Sequence, residues 1–124
     1  CWFRNTKGVT VRNQPTPRKY VHFGKCLVLF THGDKGKRTD YPLLMATESK
    51  QWSSTLHREI HTGHVHKTQV DERMGIRVRT FSALCSADSW HSENLFVGNA
   101  RQADAIVWHP EEGIVSSAVY TVPQ

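Results

Sequence analysis

The clearest pattern in the chain is five consecutive apolar residues, Cys26-Leu27-Val28-Leu29-Phe30. A run without polar alternation predicts a strand buried on both faces, at a central sheet position with a helix over it. It stops abruptly at Thr31-His32-Gly33-Asp34. The period then changes. Across residues 42–57, Met45, Trp52 and Leu56 fall on one helical face with Leu44 beside them, while Glu48, Lys50 and Gln51 face water. Thr39 or Asp40 supplies a cap, and Pro42 fits the first turn. Glu59-Ile60-His61 predicts a second strand, which runs into Thr62-Gly63-His64-Val65-His66.

The flanks read as β structure. Val9-Thr10-Val11 and residues 20–23 predict short strands on either side of a proline-rich break at 13–17. Residues 67–70 and 76–84 predict a hairpin around 71–75, with Ile76, Val78 and Thr80 facing inward and Arg77 and Arg79 on a wet face. Residues 85–101 predict a loop or short turn with Trp90 buried. A second hairpin pairs 105–108 with 114–122 across Pro110-Glu111-Glu112-Gly113. The expected fold is α/β and β-rich, with one main helix, over a single domain spanning 1–124.

This pattern places two histidine-bearing loops at strand ends. Parallel strands joined by a helix bring their carboxyl ends together, and ligand sites in open α/β sheets lie just beyond those ends. His32, His64 and His66 are therefore expected in one site. Two histidines two apart on an extended chain project to the same side, and the glycine before them lets the backbone approach a ligand. Neutral imidazole suits zinc, manganese, iron and nickel. Each residue also has a plainer reading: a turn histidine at His32, and two polar residues on a solvent-facing strand at His64 and His66.

Composition adds a partner class. The 124 residues carry a formal net charge of +5 and a pI near 9.4, which favours an anionic partner such as a phosphate ester or nucleic acid. Lys35, Lys37 and Arg38 follow the first strand end, where they either attract phosphate or sit in a solvated loop. The composition is that of a soluble globular chain and no apolar run approaches membrane-spanning length, so no membrane partner is expected. Three cysteines without a C-x-x-C pair predict reduced thiols and a cytoplasmic setting. A chain opening at Cys1 rather than methionine reads as cut, processed or fragmentary. Cys85 and His91 are the sole close Cys/His pair, with nothing to activate the thiol. A cupin-like barrel would place an acid near Asp71, but it expects glycine where Arg58 stands and leaves no room for the helix.

The order His-Gly after a buried strand, then a helix, then Gly-His-x-His, resembles the calcineurin-like metallophosphoesterase superfamily. The matching pieces are Leu29-Phe30-Thr31-His32-Gly33-Asp34 and Thr62-Gly63-His64-Val65-His66. The architecture from about residue 20 to 122 is similar to the C-terminal half of that family's two-sheet sandwich, with phage-encoded members nearest. The resemblance implies a dinuclear centre of two divalent ions (Mn, Zn, Fe or Ni) that activates water against a phosphate ester. It implies His32 and His64 as ligands of the second ion and His66 as a ligand of the first.

The family also uses an upstream Asp-x-His, a Gly-Asp and an Asn-His, and no aspartate precedes Asp34 here. The resemblance thus implies a phosphoesterase part that is inactive alone. Its partner is a missing N-terminal half, which would also supply neighbours for strand 26–30. The alternative is a non-enzymatic, basic nucleic-acid-binding module with structural histidines.

Overall fold

In the computed structural model, residues 2–85 and 100–123 are described. The expected loop at 85–101, with Trp90 and His91, lies almost wholly outside them. The chain is mixed α/β and strand-rich, with a single α-helix and two sheets. The first sheet holds β1 (Arg18–Phe23), β2 (Cys26–Thr31), β3 (His57–Thr62), β4 (Gln69–Arg73) and β5 (Ile76–Thr80), in the order β1-β2-β3-β5-β4. β2, β3 and β5 run parallel, and β1 and β4 close the two sides as antiparallel hairpin partners. The second sheet is the hairpin of β6 (Gln102–His109) and β7 (Gly113–Thr121).

The apolar run of β2 is buried from Cys26 to Leu29, as its pattern predicts, while Phe30 is 44% exposed. Leu27 and Leu29 face the helical side with Ile60, Ile76 and Val78, and Tyr41 and Met45 cover them. Each of these side chains contributes about 1.5–3 kcal/mol of burial. The neighbours of β2 differ from expectation. Both come from this chain and not from a missing half: β3 on one side, as the strand–helix–strand pattern predicts, and β1 on the other. Among the described residues, unpaired edges remain at β1 and β4 of the first sheet and on both sides of the two-stranded sheet.

The helix is shorter than its period suggests. α1 spans Tyr41–Glu48, and a 3-10 turn at Trp52–Ser54 follows. The helix stops at Ser49, which turns extended (φ −90, ψ 117) and whose Oγ accepts from the Gln51 N–H at 3.3 Å, a local bond that competes with helical pairing. Met45 is fully buried and Trp52 packs at the core's rim under the Arg58 guanidinium, but Leu56 is exposed. Asp40 precedes the helix without a side-chain cap bond. Val9–Val11 forms no strand, having no partner to pair with.

The sheets meet at their turns. Lys25 N–H donates to the Pro110 carbonyl at 2.6 Å, and Cys26 Sγ lies 3.2 Å from the His109 carbonyl. Gly24 has φ +54, and a Cβ there would fall 2.5 Å from the Pro110 oxygen, so this contact requires glycine. The coverage is uneven. The first sheet has five strands and the second has two. On the face that meets the second sheet, Val21, Phe23 and Phe30 stay 42–48% exposed.

Candidate metal centre

β2 and β3 end level. Their parallel register sets Phe30 beside His61, so both following loops leave from one edge of the sheet. Gly63 N–H donates to the His32 carbonyl at 3.0 Å and fastens one loop to the other. Gly33 has φ +97, and a Cβ there would lie 3.1 Å from Thr62 Cβ. Glycine is therefore needed for both its conformation and its closeness.

This arrangement sets Nε2 of His32 and Nδ1 of His64 3.1 Å apart, with ring centroids at 4.9 Å and planes at 69°. Two nitrogens each about 2.0–2.1 Å from a zinc ion, at a near-tetrahedral angle, lie about 3.3 Å apart. The donor pair thus fits adjacent positions around one cation. Without an ion, the same spacing suits a single shared proton.

The backbone at the second motif is not extended. β3 ends at Thr62, and His64 and His66 take φ +70 and +48. Left-handed backbone costs a non-glycine residue about 1–2 kcal/mol, and such strain clusters at ligand sites. A tight turn, Val65 N–H to the Gly63 carbonyl at 2.9 Å, produces it. His66 follows in this loop, where its carbonyl accepts from Ser82 Oγ. Among the described residues, no three His, Cys, Asp or Glu side chains are gathered to hold an ion. The structure joins His32 to His64; it does not close a three-ligand set with His66.

Two solved structures share the architecture. Wild-type Vps29 from Entamoeba histolytica, in complex with zinc, matches with a TM-score of 0.56 at 16% identity, over 90% of this chain and 63% of that one. A single mutant of Vps29 from the same organism matches at 0.50 and 14% identity, over 94% and 66%. The chain has a metallophosphoesterase-like fold. It spans less than two thirds of the length of either structure. No family model matches the sequence, and no curated protein does.

Within the metallophosphoesterase-like fold, the basic residues near the first loop divide. The Arg38 guanidinium is committed to Asp71 at 2.9 Å and to the Val78 carbonyl at 3.1 Å, so it ties the loop to β4 and β5. That bond also disposes of Asp71 as a cupin-type ligand. Lys35 lies 3.5 Å from Asp34, and Lys37 makes no salt bridge among the described residues.

Beneath the centre lies a group that sequence reasoning missed. Glu59 and His61 are buried, with His61 Nε2 2.9 Å from Glu59 Oε2. Arg77 and Arg79 reach Glu59 Oε1 at 3.2 and 3.3 Å. On the face expected to be wet, Arg77 stays exposed, while Arg79 is largely covered and both pair with the buried Glu59. His61 stands edge-on to Phe30 and Phe81, at 5.1 and 4.9 Å. A signal was present: Glu59-x-His61 on one strand lies opposite Arg77-x-Arg79 on the next.

Proposed function

We propose that this chain supplies the histidine side of a dinuclear metallophosphoesterase centre. His32 and His64 hold one divalent ion and His66 contributes to a second, with manganese, zinc, iron or nickel as the metal. Hydrolysis of phosphate mono- or diesters then requires a complementary segment that brings carboxylates, in a cytoplasmic setting. The observation that carries this reading is the 3.1 Å approach of His32 Nε2 and His64 Nδ1 at the ends of adjacent parallel strands. The zinc-bound neighbour of the same fold supports it. The uncovered face at Val21, Phe23 and Phe30 and the unpaired edges of the β6–β7 sheet give such a segment a place to pack.

A divalent pair would supply Lewis acidity at a phosphoryl oxygen and an activated water. The chain's own part is to aim the imidazoles. The Gly63–His32 backbone bond and the left-handed turn at His64 hold together the two loops that carry the rings. The ion pairs at Glu59 stiffen the strand that leads into one of them.

Calorimetric zinc titration at pH 7.5 tests the reading. About one ion per chain is expected, bound weakly because no carboxylate assists. Binding should fall away below about pH 6, where protons compete for imidazole. His64→Ala, alone or with His66→Ala, should abolish it. Equal binding by the double variant would end the metal reading.

A further inference from the structure

The positive charge of this protein is segregated. Its first 33 residues hold Arg4, Lys7, Arg12, Arg18, Lys19 and Lys25, and none of the eleven Asp and Glu residues of the chain. The remainder has ten basic and eleven acidic residues, so the whole excess of positive charge lies in this segment. A general surplus kept for solubility would be dispersed.

The segment is placed to serve the histidines. Residues 2–17 are almost entirely exposed and lie outside any strand. They are held along the first sheet by Thr31 Oγ1 donating to the Pro17 carbonyl at 3.2 Å, and by Lys19 Nζ donating to the Arg12 carbonyl at 3.3 Å. His32 lies between two openings. One, of about 490 Å³, is lined by Pro17, Lys19, Phe30, His61 and Phe81. The other, of about 380 Å³, takes in Arg18, Asp34, Lys35, Lys37 and Asp40. Arg18 is neutralised by Glu48 and Lys35 pairs with Asp34, which leaves Lys19 and Lys37 as the cations flanking His32 without a salt bridge among the described residues. Exposed aromatic rings mark both ends of this path: Trp2 at 93% and Phe3 at 55% on the segment, and Phe30 at 44% beside His32.

Cations spaced along an exposed segment outside helix and strand, interleaved with exposed aromatic rings, suit a strand whose bases are free to stack. A duplex hides its base faces and would leave those rings idle. We infer that the segment is a track for single-stranded nucleic acid, which it leads to the His32–His64 pair. This inference names the substrate class of the proposed centre and rests on that reading for what happens at the end of the track. The binding itself needs no metal.

The test is fluorescence anisotropy of a labelled twelve-nucleotide oligothymidylate with the 124-residue chain, in EDTA, across 50–300 mM salt. Arg4, Lys7, Arg12, Lys19 and Lys37, each neutralising one phosphate, predict a slope of log K against log salt of about −3.5. Arg12→Gln with Lys19→Gln should flatten it by about 1.4. Lys50→Gln with Arg73→Gln, which removes two exposed cations outside the segment, should leave it unchanged. Trp2→Ala should weaken binding about five-fold or more at the highest salt, where stacking dominates. An unchanged slope in the Arg12/Lys19 variant would overturn the inference. So would equal competition by polyglutamate at the same charge concentration, which would mark the segment as a docking arm for acidic protein. Because EDTA is present, failure here leaves the zinc titration untouched, and failure of the zinc titration leaves this result standing.

Discussion

An aryl phosphodiester supplied with manganese, zinc or nickel should be hydrolysed by the isolated 124-residue chain no faster than by its His64→Ala variant. The reason lies in the donor set. The geometry joins two imidazoles, and no third His, Cys, Asp or Glu closes around an ion among the described residues. A dinuclear centre stabilises both the attacking and the leaving oxygen, and that needs two ions held about 3.5–4 Å apart. Groups that act as a unit fail as a unit, so losing the second ion removes several powers of ten in rate. Adding a polypeptide with the family's Asp-x-His and Asn-His pieces should raise turnover by orders of magnitude, and only while His66 is intact. Rapid His64-dependent turnover by the chain alone would show that it already contains the ligands assigned here to a complement.

Removing the Glu59 carboxylate should cost more stability than any other change to the polar interior. Its partners are His61, Arg77 and Arg79, and the pair with His61 is shielded from water between the sheets. Glu59→Ala takes the acceptor from the buried His61 ring and the carboxylate from the Arg79 guanidinium, which typically costs about 1–3 kcal/mol. Urea unfolding at pH 7 measures this directly.

The pH dependence follows from the same contacts. Burial pushes the Glu59 carboxyl upward, but the hydrogen bond with His61 and the bond and charge of Arg79 outweigh it and hold the group below the usual carboxylate range. A depressed folded value means the stabilisation is fully present above the unfolded carboxylate pKa of about 4.3, and is lost as pH falls through the folded value. The stability gap between wild type and Glu59→Gln should therefore persist at pH 6 and close below pH 4. A gap that stays constant down to pH 3 would show that Glu59 acts by packing, not by charge.

The histidine pair was legible because local signals agreed with the tertiary outcome. An unbroken apolar run fixes β2 as a central strand, a helical period follows, and glycine marks both strand ends. Chain order then leaves few ways to connect them. The helix's end was not legible. An apolar period continues to Leu56, while the backbone turns extended at Ser49 and the Ser49 hydroxyl takes the Gln51 N–H, and the period reports only the first effect. The left-handed turn at His64 was hidden because the local Val65 N–H to Gly63 carbonyl bond closes it around a residue that is not glycine, so no turn residue marks the position. The Glu59 ion pairs depend on register between β3 and β5, and alternation alone reads the same residues as a solvent face. The β1 side of β2 was misassigned because a resemblance to a larger fold does not say which strands sit next to each other.

Nitrogen-15 spectroscopy of the histidine side chains during zinc addition tests the central claim most directly. His32 Nε2 and His64 Nδ1 should shift together to metal-bound positions as zinc approaches one equivalent, each sparing the other nitrogen of its ring, with His57 and His61 unmoved. Shifts confined to other histidines, or none at His32 and His64 at saturating zinc, would mean that their 3.1 Å approach is a proton-sharing contact and not a metal site.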